Sequence, residues 1–188
     1  MPRDTGSTDL QRIVDFVNTR RADGDELGTP EQLTNWLHAH DLLPDLAHAD
    51  AEDRERAVWL REGLRALLAE NNAEPVTSPR PDGLDPTART QLATLTAALP
   101  LRLDVSGIPP RLVPQSPEPI DHALTTLLAD VATAVHAGTW PRLKACREPS
   151  CRWAFYDQSR NHGRTWCSMN VCGNRVKVRA SQRRRTAR

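Results

Sequence analysis

Nowhere does this sequence hold the roughly 18 consecutive apolar residues that crossing a bilayer requires, and its opening stretch, Met1-Pro2-Arg3-Asp4-Thr5-Gly6, lacks the hydrophobic region of an export signal. The expected location is the cytoplasm, with no membrane partner. Cysteine is absent from the first 145 residues, and all four stand near the C-terminus as Cys146-x4-Cys151 and Cys167-x4-Cys172. A reducing compartment disfavours structural disulfides there, which leaves disulfides and simple free thiols as the weaker alternatives to metal binding. Histidine offers no metal-binding spacing either, since His38, His40, His48 and His122 form no ligand motif. The carboxylates have no pairing that fixes an acid/base dyad. These groups read as solvated or structural, so no catalytic residue and no organic cofactor are expected and the chain is not read as an enzyme.

What is present divides sharply by charge. The 188 residues and an apolar fraction of 38% suit one medium domain with a small one appended. The net charge of +1 conceals residues 1–140, with 12 Lys/Arg against 22 Asp/Glu, and residues 141–188, with 13 against 2. The two parts must meet different partners. Domains are accordingly expected at 1–140, acidic and mainly helical, and at 141–188, carrying all four cysteines and a basic C-terminal segment.

In the first part, Leu10, Ile13, Val14 and Val17 recur at helical spacing and predict a helix over about residues 9–19, with Asp9 as its cap and Asn18 and Thr19 at its end. Thr29 is the predicted N-cap of a second helix, with Pro30 at N1, Gln32 completing a capping box, and Leu33, Trp36 and Leu37 as the buried stripe. Asp50 opens a longer helix to about Glu70, with Ala57, Leu60, Leu64, Leu67 and Leu68 on one side and Arg54, Arg61 and Arg65 largely elsewhere. Gly63 weakens that helix by about 1 kcal/mol relative to alanine. Residues 71–86, with four prolines, read as an exposed connection. Leu92, Leu95 and Leu99 predict a short helix before Pro100, and residues 101–105 and 112–113 predict a small hairpin or two edge strands. Ile120, Leu124, Leu127, Leu128, Val131 and Val135 predict a last helix of this part. Phe16, Asn18 and Thr19 either line a concave pocket or close the first helix over the core.

In the second part, two pairs of soft thiolates suit one tetrahedral Zn²⁺, whose coordination replaces the apolar core that so short a segment cannot build. The predicted ligands are Cys146, Cys151, Cys167 and Cys172, and with four cysteines bound no position stays open for a water, so the zinc is expected to be structural. Trp153, Phe155, Tyr156 and Trp166 form the expected satellite core, with exposure of one of them for stacking on a base as the alternative. The string Cys146-Arg-Glu-Pro-Ser-Cys151-Arg-Trp-Ala-Phe155-Tyr-Asp157 and the later Trp166-Cys167-Ser168-Met169-Asn170-Val-Cys172-Gly173-Asn174-Arg175 resemble the CGNR-type zinc finger. Together with Asp15-Phe16-Val17-Asn18-Thr19 and Leu33-x-x-Trp36-Leu37, the chain resembles a bacterial two-domain family named for stress-induced transcription regulation. That resemblance implies a finger behind an N-terminal domain and a signature completed by Gly173, Asn174 and Arg175.

Gly173 reads as relief of crowding where the second cysteine pair meets the following helix. Asn174 reads as an internal tie, and Arg175 as either a phosphate contact or a partner for Asp157. From Arg175 onward the chain has no acid, and Arg175, Lys177, Arg179, Arg183, Arg184, Arg185 and Arg188 form a basic stripe or arm. Arg160 and Arg164 can extend the same cationic face, so the candidate nucleic-acid contacts are Arg160, Arg164, Arg175, Lys177, Arg179, Arg183, Arg184 and Arg185. The fold class is α+β: a predominantly helical N-terminal domain with a small β element, then a small zinc-stabilised C-terminal domain and a basic helix or tail. The expected function is a zinc-dependent regulator of transcription that binds double-stranded DNA, its N-terminal domain forming a homodimer, sensing or contacting the transcription machinery. The alternatives are an RNA-binding or protein-interaction module, and a small-molecule sensor addressed to nucleic acid.

Overall fold

The computed structural model describes residues 5–21, 23–72 and 87–186. Helix α1 (Thr5–Val17) buries Ile13, Val14, Phe16 and Val17 on one side. It begins a turn earlier than the apolar spacing marks, so Asp9 is not its cap but an internal residue, 3.4 Å from Arg12. After short strands β1 (Arg20–Arg21) and β2 (Gly24–Asp25) comes α2 (Pro30–Ala39). Its N-terminus is the capping box expected at Thr29 and Gln32, each side chain satisfying the other's backbone N–H. Leu33, Trp36 and Leu37 are its buried stripe. The His40 ring stacks on Trp36 with centroids 3.9 Å apart, a packing role.

Helix α3 (Ala51–Glu70) starts with a second capping box, Asp50 with Asp53, and α4 (Ala88–Ala97) lies across it. Gly63 makes that crossing close. A Cβ there would stand 2.5 Å from the Cβ of Leu92, so the glycine that weakens the isolated helix is what lets the two helices touch. The expected connection over 71–86 falls largely outside the described residues, of which Asn71 and Asn72 are part. Strands β3 (Leu101–Asp104) and β4 (Arg111–Pro114) pair antiparallel from Leu101↔Pro114 to Asp104↔Arg111, and β4 packs on α5 (Pro119–His136). The α5 stripe of Ile120, Ala123, Leu124 and Leu127 completes the main core with α1 and α3. Among the described residues, no helix is long and apolar enough to cross a membrane.

Two arginines of α3 depart from the sequence reading. Arg61 is 1% exposed and Arg65 is also buried. Arg61 forks onto Asp25, with Nη2 2.9 Å from Oδ2, and its Nε donates to Glu62 Oε1 at 2.9 Å. Arg65 donates to Glu62 Oε2 and to the Val17 carbonyl. A buried guanidinium is tolerable only when such partners replace its water, and here they pin the turn after α1 against α3.

The C-terminal segment enters through a 3₁₀ turn (Trp140–Arg142) and an antiparallel hairpin, β5 (Leu143–Ala145) with β6 (Ala154–Tyr156). Leu143, Ala145 and Ala154 belong to the main core, with β5 packed on α3 and β6 on α1. Beyond β6 come one turn of π-helix (Met169–Gly173) and α6 (Asn174–Thr186). Cys146, Phe155 and Cys172 form a second, smaller core.

Candidate metal centre and nucleic-acid interface

Cys146 leaves β5 with its N–H bonded to the Trp153 carbonyl at 2.9 Å, and the chain turns back through Cys151 N–H to Glu148 carbonyl, also 2.9 Å. The other pair sits across a turn capped by Ser168, whose hydroxyl accepts from Val171 N–H at 3.3 Å and whose carbonyl accepts from Cys172 N–H at 2.9 Å. The four sulfurs lie within 4.8 Å of one another. Cys151 and Cys167 Sγ are 3.6 Å apart, and Cys167 and Cys172 Sγ are 3.7 Å apart. Disulfide sulfurs would be about 2.05 Å apart. The edge of a tetrahedron with Zn–S bonds of about 2.3 Å is about 3.8 Å, which these separations fit.

The electrostatics agree. Hydrogen bonding to Cys151 and then burial push the Cys146 thiol far above its ordinary value. Burial and the neighbouring Cys146 push Cys167 up to about 12. Four thiols packed this closely, two of them buried, ionise together only around a cation, and a bound Zn²⁺ would favour the thiolates. The N–H groups of Cys167 and Glu148 favour the Cys146 thiolate, as a coordinated sulfur requires. The four cysteines therefore hold one structural zinc, which supplies the cross-link that stands in for a larger apolar core.

Around this site the buried carboxylates of Asp157 and Glu148 each have a cation beside them. Asp157 is fully buried; its Oδ2 accepts from Lys144 Nζ at 2.7 Å and from Arg164 N–H at 3.0 Å, and its Oδ1 from Ser159 N–H at 2.9 Å. Burial alone would raise this carboxyl, yet Lys144 and Ser159 outweigh it and hold Asp157 well below the usual carboxylate range. Asp157 is thus taken, and it does not pair with Arg175. Glu148, between the first two cysteines, is also fully buried, with Oε1 accepting from Ser150 Oγ at 2.7 Å and Oε2 meeting the Arg179 guanidinium. Arg179, then burial working the other way, and then Ser150 set the balance that holds Glu148 below its ordinary value.

The candidate nucleic-acid residues separate into groups. Arg175 and Lys177 are exposed on the first turns of α6, and Arg175 makes no ion pair among the described residues. Arg160 is exposed in the loop after β6. Arg164 is exposed and also braces the metal loop: its Nε donates to the Trp166 carbonyl at 2.9 Å, its Nη2 to the Cys167 carbonyl, and its guanidinium lies 4.8 Å from the Phe155 ring centroid. Arg179 is held by Glu148. Arg183, Arg184 and Arg185 lie on α6, but their side chains fall outside the described set. Between the π turn and α6 runs a shallow groove lined by Asn170, Val171, Asn174, Arg175, Val178 and Arg179, in which Val171 and Val178 are half-exposed.

Residues 142–185 match the CGNR zinc finger, and residues 10–138 match the ABATE family, described as "Putative stress-induced transcription regulator". The chain belongs to the ABATE family. A search of curated proteins returns no match. In this ABATE chain the signature Cys172-Gly173-Asn174-Arg175 divides by role. Cys172 is a ligand. Gly173 is buried, and a Cβ on it would stand 2.5 Å from Met169 Sδ and 3.3 Å from Trp166 Cδ1, the crowding expected from sequence. Asn174 donates to the Asn170 carbonyl at 3.0 Å, a tie across the helix junction, and Arg175 points outward.

Spacing gave no sign of the asparagines that join the two parts of this ABATE chain. Asn18 is 6% exposed; its Nδ2 donates to the Ala154 carbonyl at 3.0 Å and its Oδ1 accepts from Ala154 N–H at 2.8 Å. Asn18 therefore extends the β6 backbone bonding rather than lining a pocket. Asn71 Nδ2 reaches the Trp140 and Leu143 carbonyls, and Asn72 Nδ2 the Ala145 and Thr165 carbonyls at 2.8 and 2.9 Å. Asn72 thereby grips the backbone beside Cys146 and two residues before Cys167. The hints available for Asn18 were its place in the Asp15–Thr19 string that carries the family resemblance and its closing of an apolar helix with a polar group able both to donate and to accept.

Proposed function

We propose that this zinc-binding member of a regulator family acts by binding double-stranded DNA through α6 and the loops that hold it. The observation that carries this reading is an acid-free helix, seated on the metal centre, whose Arg175 and Lys177 are exposed in a segment of 13 basic against 2 acidic residues. Phosphate contacts from Arg175, Lys177 and Arg160 would set the position, and the groove carrying Asn170, Asn174, Val171 and Val178 would offer amide and methyl groups to base edges. The acidic helical part is repelled by the same phosphates and so faces away from the duplex. Its role is to sense a signal, to dimerise or to contact the transcription machinery. The zinc, enclosed by four sulfurs, is structural, and no catalytic step is assigned to the chain.

An RNA-binding role is the second reading, and its support is Trp153, 36% exposed with the Arg21 guanidinium 5.9 Å from its ring centroid. Phe155 is buried at 7% and offers no second stacking surface, which favours duplex DNA. The deciding experiment measures binding of the zinc-loaded full chain to random duplex DNA, genomic fragments and single-stranded RNA across a salt series. Enrichment of recurring duplex sites, with a steep negative dependence on salt, is the expected result. Equal or stronger binding to RNA would replace this reading.

A further inference from the structure

We infer that Arg179 is a positioning residue: its ion pair with the buried Glu148 carboxylate holds α6 against the Cys146–Cys151 loop, so it lies outside the set of side chains that contacts phosphate. The inference rests on the DNA-binding reading only for its second half. Glu148 has no exposed surface, and its two oxygens divide their work. Oε1 accepts from Ser150 Oγ at 2.7 Å and Ser150 N–H at 3.4 Å, which shapes the turn between the cysteines. Oε2 faces the helix, and the cation that meets it there is Arg179. The Glu148 carbonyl meanwhile accepts from Cys151 N–H at 2.9 Å and Arg152 N–H at 3.2 Å. One residue thus connects the backbone of the metal loop to the basic helix.

A carboxylate removed from water needs its counter-charge, because losing one partner leaves the other buried and unpaired. The Arg179 side chain is 48% exposed, but a guanidinium that swung away from Glu148 to reach a phosphate would strand that charge. Arg175 has no such attachment among the described residues, although it stands one helical turn before Arg179 on the same side of α6. Two arginines of the same type and helical face are therefore assigned different work by what lies beneath them.

The test uses the zinc-loaded full chain and the variants Arg179→Met, which keeps the aliphatic stem, Glu148→Gln, their double variant and Arg175→Ala. Hydrogen exchange of the α6 amides is read without nucleic acid, and duplex binding is read across a salt series. Arg179→Met and Glu148→Gln should each speed α6 exchange by about tenfold, with no further increase in the double variant. Arg179→Met should keep the wild-type salt slope, whereas Arg175→Ala should make it shallower by about 0.9. Unchanged α6 exchange in Arg179→Met, additive effects in the double variant, or a slope shallower by about 0.9 in Arg179→Met would each overturn the assignment. Failure of the wild-type chain to bind duplex DNA would overturn the proposed function instead, and the exchange measurements would still decide whether Arg179 positions the helix.

Discussion

The helical part and the metal-bearing part solve the same problem with different materials. The first buries Ile13, Phe16, Leu33, Leu60, Leu64, Leu124 and Leu127 in one continuous core, with Arg61, Arg65 and Asp130 as its buried ionisable groups. The second has a core of Cys146, Phe155 and Cys172 and relies on metal–sulfur bonds plus the closed pairs Lys144–Asp157 and Arg179–Glu148. Apolar burial is nondirectional and tolerates variation, whereas coordination and ion pairing fail when a single atom is removed. Robustness and precise placement of a surface are thus allotted to different regions of one chain.

The contrast breaks most visibly on removal of zinc. Chelation, or Cys151→Ser, forfeits an apparent binding free energy of about 10–16 kcal/mol in comparable structural sites. Hydrogen exchange should then report loss of protection across residues 146–174, while the α1, α3 and α5 amides stay protected. Uniform unfolding of the whole chain would erase the distinction. In the other direction, Leu64→Ala opens a cavity in the main core and should lower stability by about 2–5 kcal/mol in urea titrations, with zinc content unchanged. Between these lies Asn72→Ala, which strips the Ala145 and Thr165 carbonyls of their shared donor. It should cost about 1–3 kcal/mol and accelerate zinc transfer to a chromogenic chelator, joining effects that the first two variants keep apart.

Acid sharpens the comparison more gently. Burial raises Glu62, but Arg65 and then Arg61 outweigh it and hold its carboxyl below the ordinary 4.5. Because the folded value is depressed, its stabilising contribution is complete above about pH 4.5 and is lost as pH falls through the folded value. Glu62→Gln should flatten that acid limb in urea midpoints collected against pH. An unaltered slope would show that the Arg61–Glu62–Arg65 cluster carries no pH-linked stability.

Local features were the ones legible in the sequence. The Thr29–Gln32 capping box, the Asp50 cap, the β3–β4 hairpin and the four ligands follow from spacings of a few residues, and the structure holds them where those spacings indicate; Asp53 completes a second box that the spacing did not announce, and Val135, expected in the α5 stripe, is exposed. Arg61 and Arg65 misled because charge on a helix is ordinarily solvated, and their burial depends on Asp25, 36 residues away from Arg61, and on the carbonyl of Val17. Asn18 and Ala154 are 136 residues apart, and no periodicity encodes such a pairing. The basic stripe was visible as charge, but the buried acid beneath Arg179 was not, since Glu148 looks in sequence like any polar loop residue. Gly63 shows the same limit: propensity marks it as a weakness, and only the approach of Leu92 reveals its use.

The hairpin of β5 and β6 lends Leu143, Ala145 and Ala154 to the core shared with α1 and α3. A cassette cut at residue 141 would therefore carry away part of the helical unit's interior and leave Asn18 facing water. Grafted onto another protein, the finger would carry its four sulfurs but lose the floor on which its two strands lie and the Asn72 bonds to Ala145 and Thr165. The chain can be shuffled as a whole more readily than by halves, and a host chosen to receive the finger would have to supply an asparagine at the end of a helix and an apolar shelf beside it.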